Sequence, residues 1–204
     1  GRKVQRPIKV HTTLHQHQRN TRKVNFDHLV TLVDPSVVID KTKLSTFNLY
    51  LLNCRSAKNK ADTLCDYVLE HDIDICVLTE SWLQAEDTPV LKQLVPENYS
   101  IHLWSRSGRK GGGIAILHKK SIPLRSVQPV NSKSFENLEL VLGVGNRLLR
   151  LVAVYRPPHS TCGRYGLKTF YDEFSSHLES WSVSSGHLLI LGDFNIHVDD
   201  PRQA

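Results

Sequence analysis

His187-Leu188-Leu189-Ile190-Leu191-Gly192-Asp193-Phe194-Asn195 is the stretch on which the reading of this chain turns. Its apolar run, Leu188 to Leu191, lies between Ser185-Gly186 and Gly192 and reads as a short strand buried on both faces. A carboxylate and a carboxamide follow, two residues apart. On an extended chain that spacing puts both side chains on one face. Open α/β sheets build their sites at such strand ends. Phosphodiester chemistry uses this pair: a carboxylate to deprotonate or orient a water, an amide to hold a phosphate oxygen. Gly-Asp also makes ordinary turns, so the rest of the chain decides between the two readings.

Upstream, three more apolar runs deliver polar residues at their exits. Phe47 to Leu52 reads as a strand ending at Asn53-Cys54-Arg55-Ser56. Ala61, Leu64, Cys65 and Val68 recur at helical spacing, which predicts a helix from about Asn59 to Glu70. Ile75 to Leu78 reads as a buried strand leading to Thr79-Glu80-Ser81-Trp82. Tyr99–Trp104 and Ile114–His118 read as strands flanking a basic, glycine-rich connection. Leu138, Leu140, Leu142 and Val144 alternate toward a Gly145-Asn146 hairpin signal, and the chain returns as Leu149–Tyr155. Leu167, Phe170, Phe174, Leu178 and Trp181 mark a helix before the opening strand. Antiparallel hairpins inside a chain whose ends are β-α-β fit two sheets packed face to face with helices outside.

Composition sets further bounds. A chain of 204 residues that is 40% hydrophobic can bury a sizeable core. Its 4 cysteines show no zinc-finger spacing and read as reduced thiols of an intracellular protein. No apolar run approaches a membrane span. Residues 1–28 hold seven of the 26 Lys/Arg and one of the 20 Asp/Glu, so the whole net charge of +6 sits there and the remainder is balanced. Such a tail does not fold on its own and suits a polyanion, or is a solvated leader. Residues 1–46 are therefore expected to be a basic, largely disordered extension ahead of a domain over 47–204.

Four strand exits thus carry Asn53, Glu80, Tyr155 and the pair Asp193/Asn195. Glu80 is an oxygen ligand suited to a hard cation such as Mg²⁺. Asn53 is placed to steady that carboxylate or a phosphate, and Tyr155 to hydrogen-bond a phosphate oxygen or Asp193. Each alone has a structural reading: Glu80 as the cap of a helix from Ser81, Asn53 as a turn residue, Tyr155 as an amphipathic edge. Four at successive strand ends point to a site.

The ordered motifs Leu52-Asn53-Cys54-Arg55-Ser56, Leu78-Thr79-Glu80-Ser81-Trp82, Gly111-Gly112-Gly113-Ile114-Ala115, Val154-Tyr155-Arg156-Pro157-Pro158 and Gly192-Asp193-Phe194-Asn195 resemble the endonuclease/exonuclease/phosphatase superfamily. Tyr-Arg-Pro-Pro and Gly-Asp-Phe-Asn-Ile-His bring the chain nearest to the apurinic-type endonuclease domain of LINE-type, non-long-terminal-repeat retrotransposons. Coverage runs from about Phe47 to Asp200. The resemblance implies a DNase I-like four-layer α/β/β/α sandwich and hydrolysis dependent on Mg²⁺ (or Mn²⁺) that nicks DNA to prime reverse transcription. It implies that Glu80 holds the metal with Asn53 beside it, and that Tyr155, Asp193 and Asn195 handle the nucleophile and the phosphate. It also implies a nuclear location and a reverse transcriptase domain downstream in intact relatives. Gly111-Gly112-Gly113 reads as a strand entry with close backbone packing, and Arg106, Arg109 and Lys110 before it as contacts to a DNA backbone.

The resembled family closes with a further Asp and a Ser-Asp-His or similar triplet, and no Ser-Asp-His occurs in these 204 residues. The expectation is a sandwich incomplete at its C-terminus and, in this form, without measurable nicking. The competing reading from another class is a non-catalytic nucleic-acid-binding remnant. A phosphatase for inositol lipids or a sphingomyelinase fits less well, because Tyr-Arg-Pro-Pro argues against it and no lipid-facing apolar loop is apparent.

Overall fold

The computed structural model describes residues 8–11, 47–106, 111–129, 132–144, 147–158 and 165–196. In chain order the elements are β1 (Ile8–His11), β2 (Phe47–Asn53), α1 (Ala61–Glu70), β3 (Ile75–Thr79), α2 (Thr88–Leu94), β4 (Tyr99–Trp104), β5 (Ile114–Lys119), β6 (Leu124–Gln128), β7 (Glu136–Val144), β8 (Arg147–Tyr155), α3 (Leu167–Ser182) and β9 (His187–Asp193). One sheet runs β1-β2-β3-β5-β4 and the other β6-β7-β8-β9. Parallel pairs (β1/β2, β2/β3, β8/β9) are joined to antiparallel ones (β3/β5, β4/β5, β6/β7, β7/β8).

Alternation along the strands builds three apolar layers. Leu49, Ile75, Val77, Ile114 and Ile116 of the first sheet meet Leu138, Leu140, Leu151 and Ala153 of the second between the sheets. The opposite faces of the first sheet's strands, through Tyr50, Cys76, Leu78 and Leu117, bury Ala61, Leu64 and Val68 of α1 and Leu94 of α2. Val152 and Val154 of the second sheet bury Phe170 and Trp181 of α3. Helices, sheet, sheet, helix is the expected four-layer α/β/β/α sandwich. Period-2 strands with apolar residues on both faces can only be covered this way.

Four local expectations need correcting. Within the stretch read as an unstructured tail, Ile8–His11 forms a strand in parallel register with Phe47–Tyr50, because β2 offers an edge that backbone groups can pair; the remainder of 1–46 lies outside the described residues. No helix starts at Ser81: the chain is irregular there, with Glu80 and Trp82 on either side at positive φ, and the helix begins at Thr88 with Pro89 in its first turn. Leu188–Leu191 are half-buried rather than buried on both faces, since β9 pairs with β8 alone among the described strands. Leu178, one of five apolar positions read as a single helical face, is exposed. The Gly145-Asn146 turn lies outside the described residues, but the pairing of Val144 with Arg147 leaves those two as the connection.

Candidate active site

Strand register alone gathers the motif residues at one end of the sandwich. In the first sheet Asn53 pairs with Thr79, and Thr79 with Ile114, so Asn53, Glu80 and Gly113 leave together. In the second, Glu136 pairs with Tyr155 and Tyr155 with Asp193. The two rows face each other across the interlayer core.

Asn53 joins them. Its Nδ2 donates to Glu80 Oε1 at 2.7 Å and to Asp193 Oδ2 at 2.6 Å. One amide nitrogen therefore holds a carboxylate from each sheet. Tyr155 is 4% exposed, and its hydroxyl is hydrogen-bonded to Glu80. Burial first, then the negative charges of Glu80 and Glu136, pushes that hydroxyl well above its usual range. Tyr155 thus stays protonated and serves as a donor. Neither Glu80 nor Asp193 has an ion-pair partner among the described residues.

The backbone that aims these groups is unusual. Arg55, Ser56, Glu80, Trp82 and Asn195 all have positive φ, at 44°, 81°, 50°, 55° and 47°. Each such residue costs on the order of 1–3 kcal/mol and persists only where its surroundings over-determine it. Those surroundings can be traced. Ser56 N–H donates to Glu80 O at 2.7 Å and Ala57 N–H to Ser81 O at 2.9 Å. On the other side Ser81 N–H donates to Gly113 O at 3.1 Å and Trp82 N–H to Gly112 O at 3.0 Å. Glu80 is thus clamped between the loop after β2 and the glycine run before β5.

Glu136 holds the glycine run in turn, and sequence reasoning missed it. It is 4% exposed, accepts Gly113 N–H on Oε2 at 2.6 Å, and takes the Arg106 guanidinium on Oε1. Burial pushes its carboxyl up, with Arg106 and the Gly113 N–H pulling the other way. Gly112, at φ +73°, is required here: a β-carbon would come within 2.6 Å of Glu136 Oε1 and 2.7 Å of Arg106 Cζ. The glycine run was the available signal, since close backbone approach demands something to approach. An acid opening a strand, followed by the polar Asn137, gave no periodic cue.

Asp193 and Asn195 come together by a different route from the extended geometry expected. Asp193 ends β9, and Asn195 turns back in the left-handed region so that its N–H donates to Asp193 Oδ1 at 3.1 Å. Its Nδ2 donates to Arg156 O at 2.6 Å, while Arg156 Nη1 donates to Asn195 O at 3.0 Å. Asn195 therefore braces the turn that carries Asp193 against the end of β8. Gly192 lets that turn lie on β8, for a β-carbon there would meet Val154 O at 1.8 Å.

Of the residues read as DNA-backbone contacts, Arg106 is committed inward to Glu136, with 19% of its side chain exposed; Arg109 and Lys110 lie outside the described residues. Among those residues no group of three or more His, Cys, Asp or Glu forms a cage for a metal. Mg²⁺ rarely needs one. It is usually held by one or two carboxylates with water and substrate phosphates making up its six oxygens. Glu80, with Asn53 beside it, is such a carboxylate and suits a hard divalent cation.

Over residues 45–202 the chain matches the model of the Endonuclease/Exonuclease/phosphatase family. No curated protein matches it. Among solved structures, D. rerio TDP2 humanized by 14 mutations superposes with a TM-score of 0.58 at 14% identity, covering 75% of this chain and 68% of that one. D. rerio TDP2 complexed with single strand DNA product gives 0.56 at 13% identity, with 74% and 61% covered. An endonuclease/exonuclease/phosphatase family protein from Leptotrichia buccalis gives 0.53 at 12% identity, with 73% and 66% covered. The chain thus spans about two thirds of the length of these structures. At such identities the likeness is one of fold.

Proposed function

The chain belongs to the endonuclease/exonuclease/phosphatase family, and from that premise we propose that it is a metal-dependent phosphodiesterase domain acting on DNA. Its specific task is the one that LINE-type retrotransposon endonucleases perform, nicking a target strand to prime reverse transcription. In that setting a reverse transcriptase is its partner and the nucleus its place of work. The observation that carries the reading is the single Asn53 amide holding Glu80 of one sheet and Asp193 of the other. Among the described residues these two carboxylates have no Lys or Arg partner and are left to each other and to neutral donors.

Members of the family are typically dependent on a divalent cation, which when bound supplies Lewis-acid polarisation of a phosphate oxygen. Glu80, with Asn53 beside it, would hold that ion. Asp193 is fixed at both oxygens, by Asn53 Nδ2 and by Asn195 N–H, so it presents one orientation to an attacking water and can accept its proton. Tyr155, kept protonated, gives its single O–H to Glu80 and so orients that carboxylate. Among the described residues no histidine is hydrogen-bonded to Asn53, Glu80 or Asp193; His177 packs on Phe135 and bonds Ser132, and His118 pairs with Ile75 at the far end of β3. Stabilisation of the developing negative charge is therefore the part these residues do not provide. Losing one preorganised contact of that kind typically costs about a hundred- to a thousandfold in rate.

The test is nicking of supercoiled plasmid with Mg²⁺. The 204-residue chain by itself should not nick measurably. The same chain extended with the closing strands and Ser-Asp-His of an intact relative should nick, and Glu80→Ala or Asp193→Ala should abolish it. Nicking by the extended chain that survives both substitutions overturns the site. An extended chain that binds DNA but never nicks it favours the non-catalytic reading. Robust, Glu80-dependent nicking by the unextended chain would show that the triplet is dispensable, with His197 the first candidate for its replacement.

A further inference from the structure

Trp82 follows Glu80 by two residues and is 41% exposed, while Trp181 is 3% exposed and buried in the core. Among the described residues the other exposed large apolar side chains, Leu69, Leu124, Tyr171, Leu178 and Val183, lie on or beside helices and on the β6 edge. Trp82 stands on the loop that carries Glu80, at the rim of the site. The backbone there is also held in the left-handed region, at φ 55°, by the N–H bond to Gly112 O. Strain of that kind together with water exposure of an indole is a double cost, and folding gains nothing from it. The Nε1–Cε2 edge of the ring lies against Gly111, where a β-carbon would sit 3.6 Å from Nε1. The ring keeps part of its surface open to solvent. Arg55 lies on the neighbouring loop, exposed and also at positive φ. The bond from Ser56 N–H to Glu80 O ties that loop to the segment that carries Trp82.

We propose that Trp82 is a stacking platform for an unpaired nucleobase flanking the scissile phosphate, with Arg55 on the adjoining backbone phosphate. The inference rests on reading the Glu80–Asn53–Asp193 cluster as the phosphodiesterase centre. An indole recognises a flat π-face, which a base inside a duplex keeps stacked and a single-stranded or extruded base offers freely. Arg supplies a planar cation that bonds phosphate oxygens in pairs. The ligand class is therefore a single-stranded or locally opened nucleic acid, read for the presence of a base and not for its identity.

Binding without turnover tests this. The 204-residue chain is titrated against a fluorescein-labelled thymidine oligomer, an abasic strand of equal length and a blunt duplex, with anisotropy as the readout. Trp82→Ala should weaken the thymidine oligomer by about 5- to 150-fold, the usual worth of one stacked base. The abasic strand should be unaffected, and Trp82→Phe should keep most of the affinity. Arg55→Ala should weaken oligomer and abasic strand alike and lower the salt slope by about 0.7, the share of one single-strand phosphate. Equal affinity of Trp82→Ala and the parent for the oligomer overturns the proposal. So does an equal loss on oligomer and abasic strand, which a merely structural role would give. Because no turnover is read, Trp82-dependent binding with no Glu80-dependent nicking would sink the catalytic reading alone, and the reverse pattern would sink the platform alone.

Discussion

The two ends of the sandwich treat their carboxylates in opposite ways. At the far end Asp74, 5% exposed, accepts Asn48 N–H at 2.8 Å and forms an ion pair with Lys119 at 2.8 Å; Lys119 also reaches Asp72 at 2.6 Å. Tyr99 there donates its hydroxyl to Ile73 O at 2.7 Å. The buried Asp74 is matched by Lys119, and among the described residues Asp72 is the one non-glycine residue there at positive φ. At the site end Glu80 and Asp193 share an amide, and five non-glycine residues hold left-handed conformations. The far end is what folding selects when charges only have to be satisfied. The site end keeps negative charge and strain that folding does not require, which supports the proposed reading of it as a place for a cation and a phosphate.

Loss of a carboxylate should therefore act with different sign at the two ends. Asp74→Ala removes the acceptor of Asn48 N–H and leaves Lys119 only the exposed Asp72, which should cost about 1–3 kcal/mol of unfolding free energy. Glu80→Gln keeps an acceptor for Asn53 Nδ2 and relieves repulsion from Asp193, so urea melts should show no loss or a small gain. Equal destabilisation by the two substitutions would erase the distinction between the ends.

How much of this contrast is legible in the sequence depends on distance along the chain. The buried strands β3 and β5 announce themselves as short apolar runs, and the exits with Asn53, Glu80, Tyr155 and Asp193 follow from where those runs stop. Their convergence follows from the parallel pairs, because parallel strands end together. What stays hidden is whatever depends on a partner far off in sequence. Arg106 reads as a surface cation until Glu136 arrives from the next sheet to take its guanidinium. Glu139 reads as the solvent side of an alternating strand, yet it is buried against Arg150. The half-exposure of β9 is hidden too, since burial on both faces needs a neighbour on each side. Asn195 fails for a local reason: period-2 geometry does not survive a residue in the left-handed region.

A divalent cation should sharpen the comparison further. Anything that binds only the folded chain adds RT ln(1 + [L]/Kd), about 1.4 kcal/mol at ten times Kd. With Glu80 as the donor and Asn53 beside it, Mg²⁺ or Mn²⁺ should raise the melting temperature of the parent and of Asp74→Ala, but not of Glu80→Gln or Asn53→Ala. A rise that persists in both site variants would place the ion elsewhere.

The smallest expected effect concerns acid. His102 of β4 and His118 of β5 face each other with Nε2 atoms 3.2 Å apart, and His118 Nδ1 lies 2.9 Å from Lys119 O. Donation from His118 Nδ1 to that carbonyl leaves its Nε2 as the acceptor for His102 Nε2–H. Burial, then the neighbouring His118, holds His102 below the ordinary imidazole value. A depressed histidine contributes stability that is complete above the unfolded value of about 6.5 and is lost as pH falls below it, because the unfolded chain then takes up a proton that the folded one resists. Urea melts of the parent between pH 7 and 5 should show this loss. His102→Gln keeps a donor toward His118 and removes the titrating ring, so its melts should change less over the same interval. The difference should be the same in a Glu80→Gln background, because sites without shared partners contribute additively. A non-additive result would mean that the pair and the carboxylate cluster sense each other through β3 and β5, and that the two ends of the sandwich are one system.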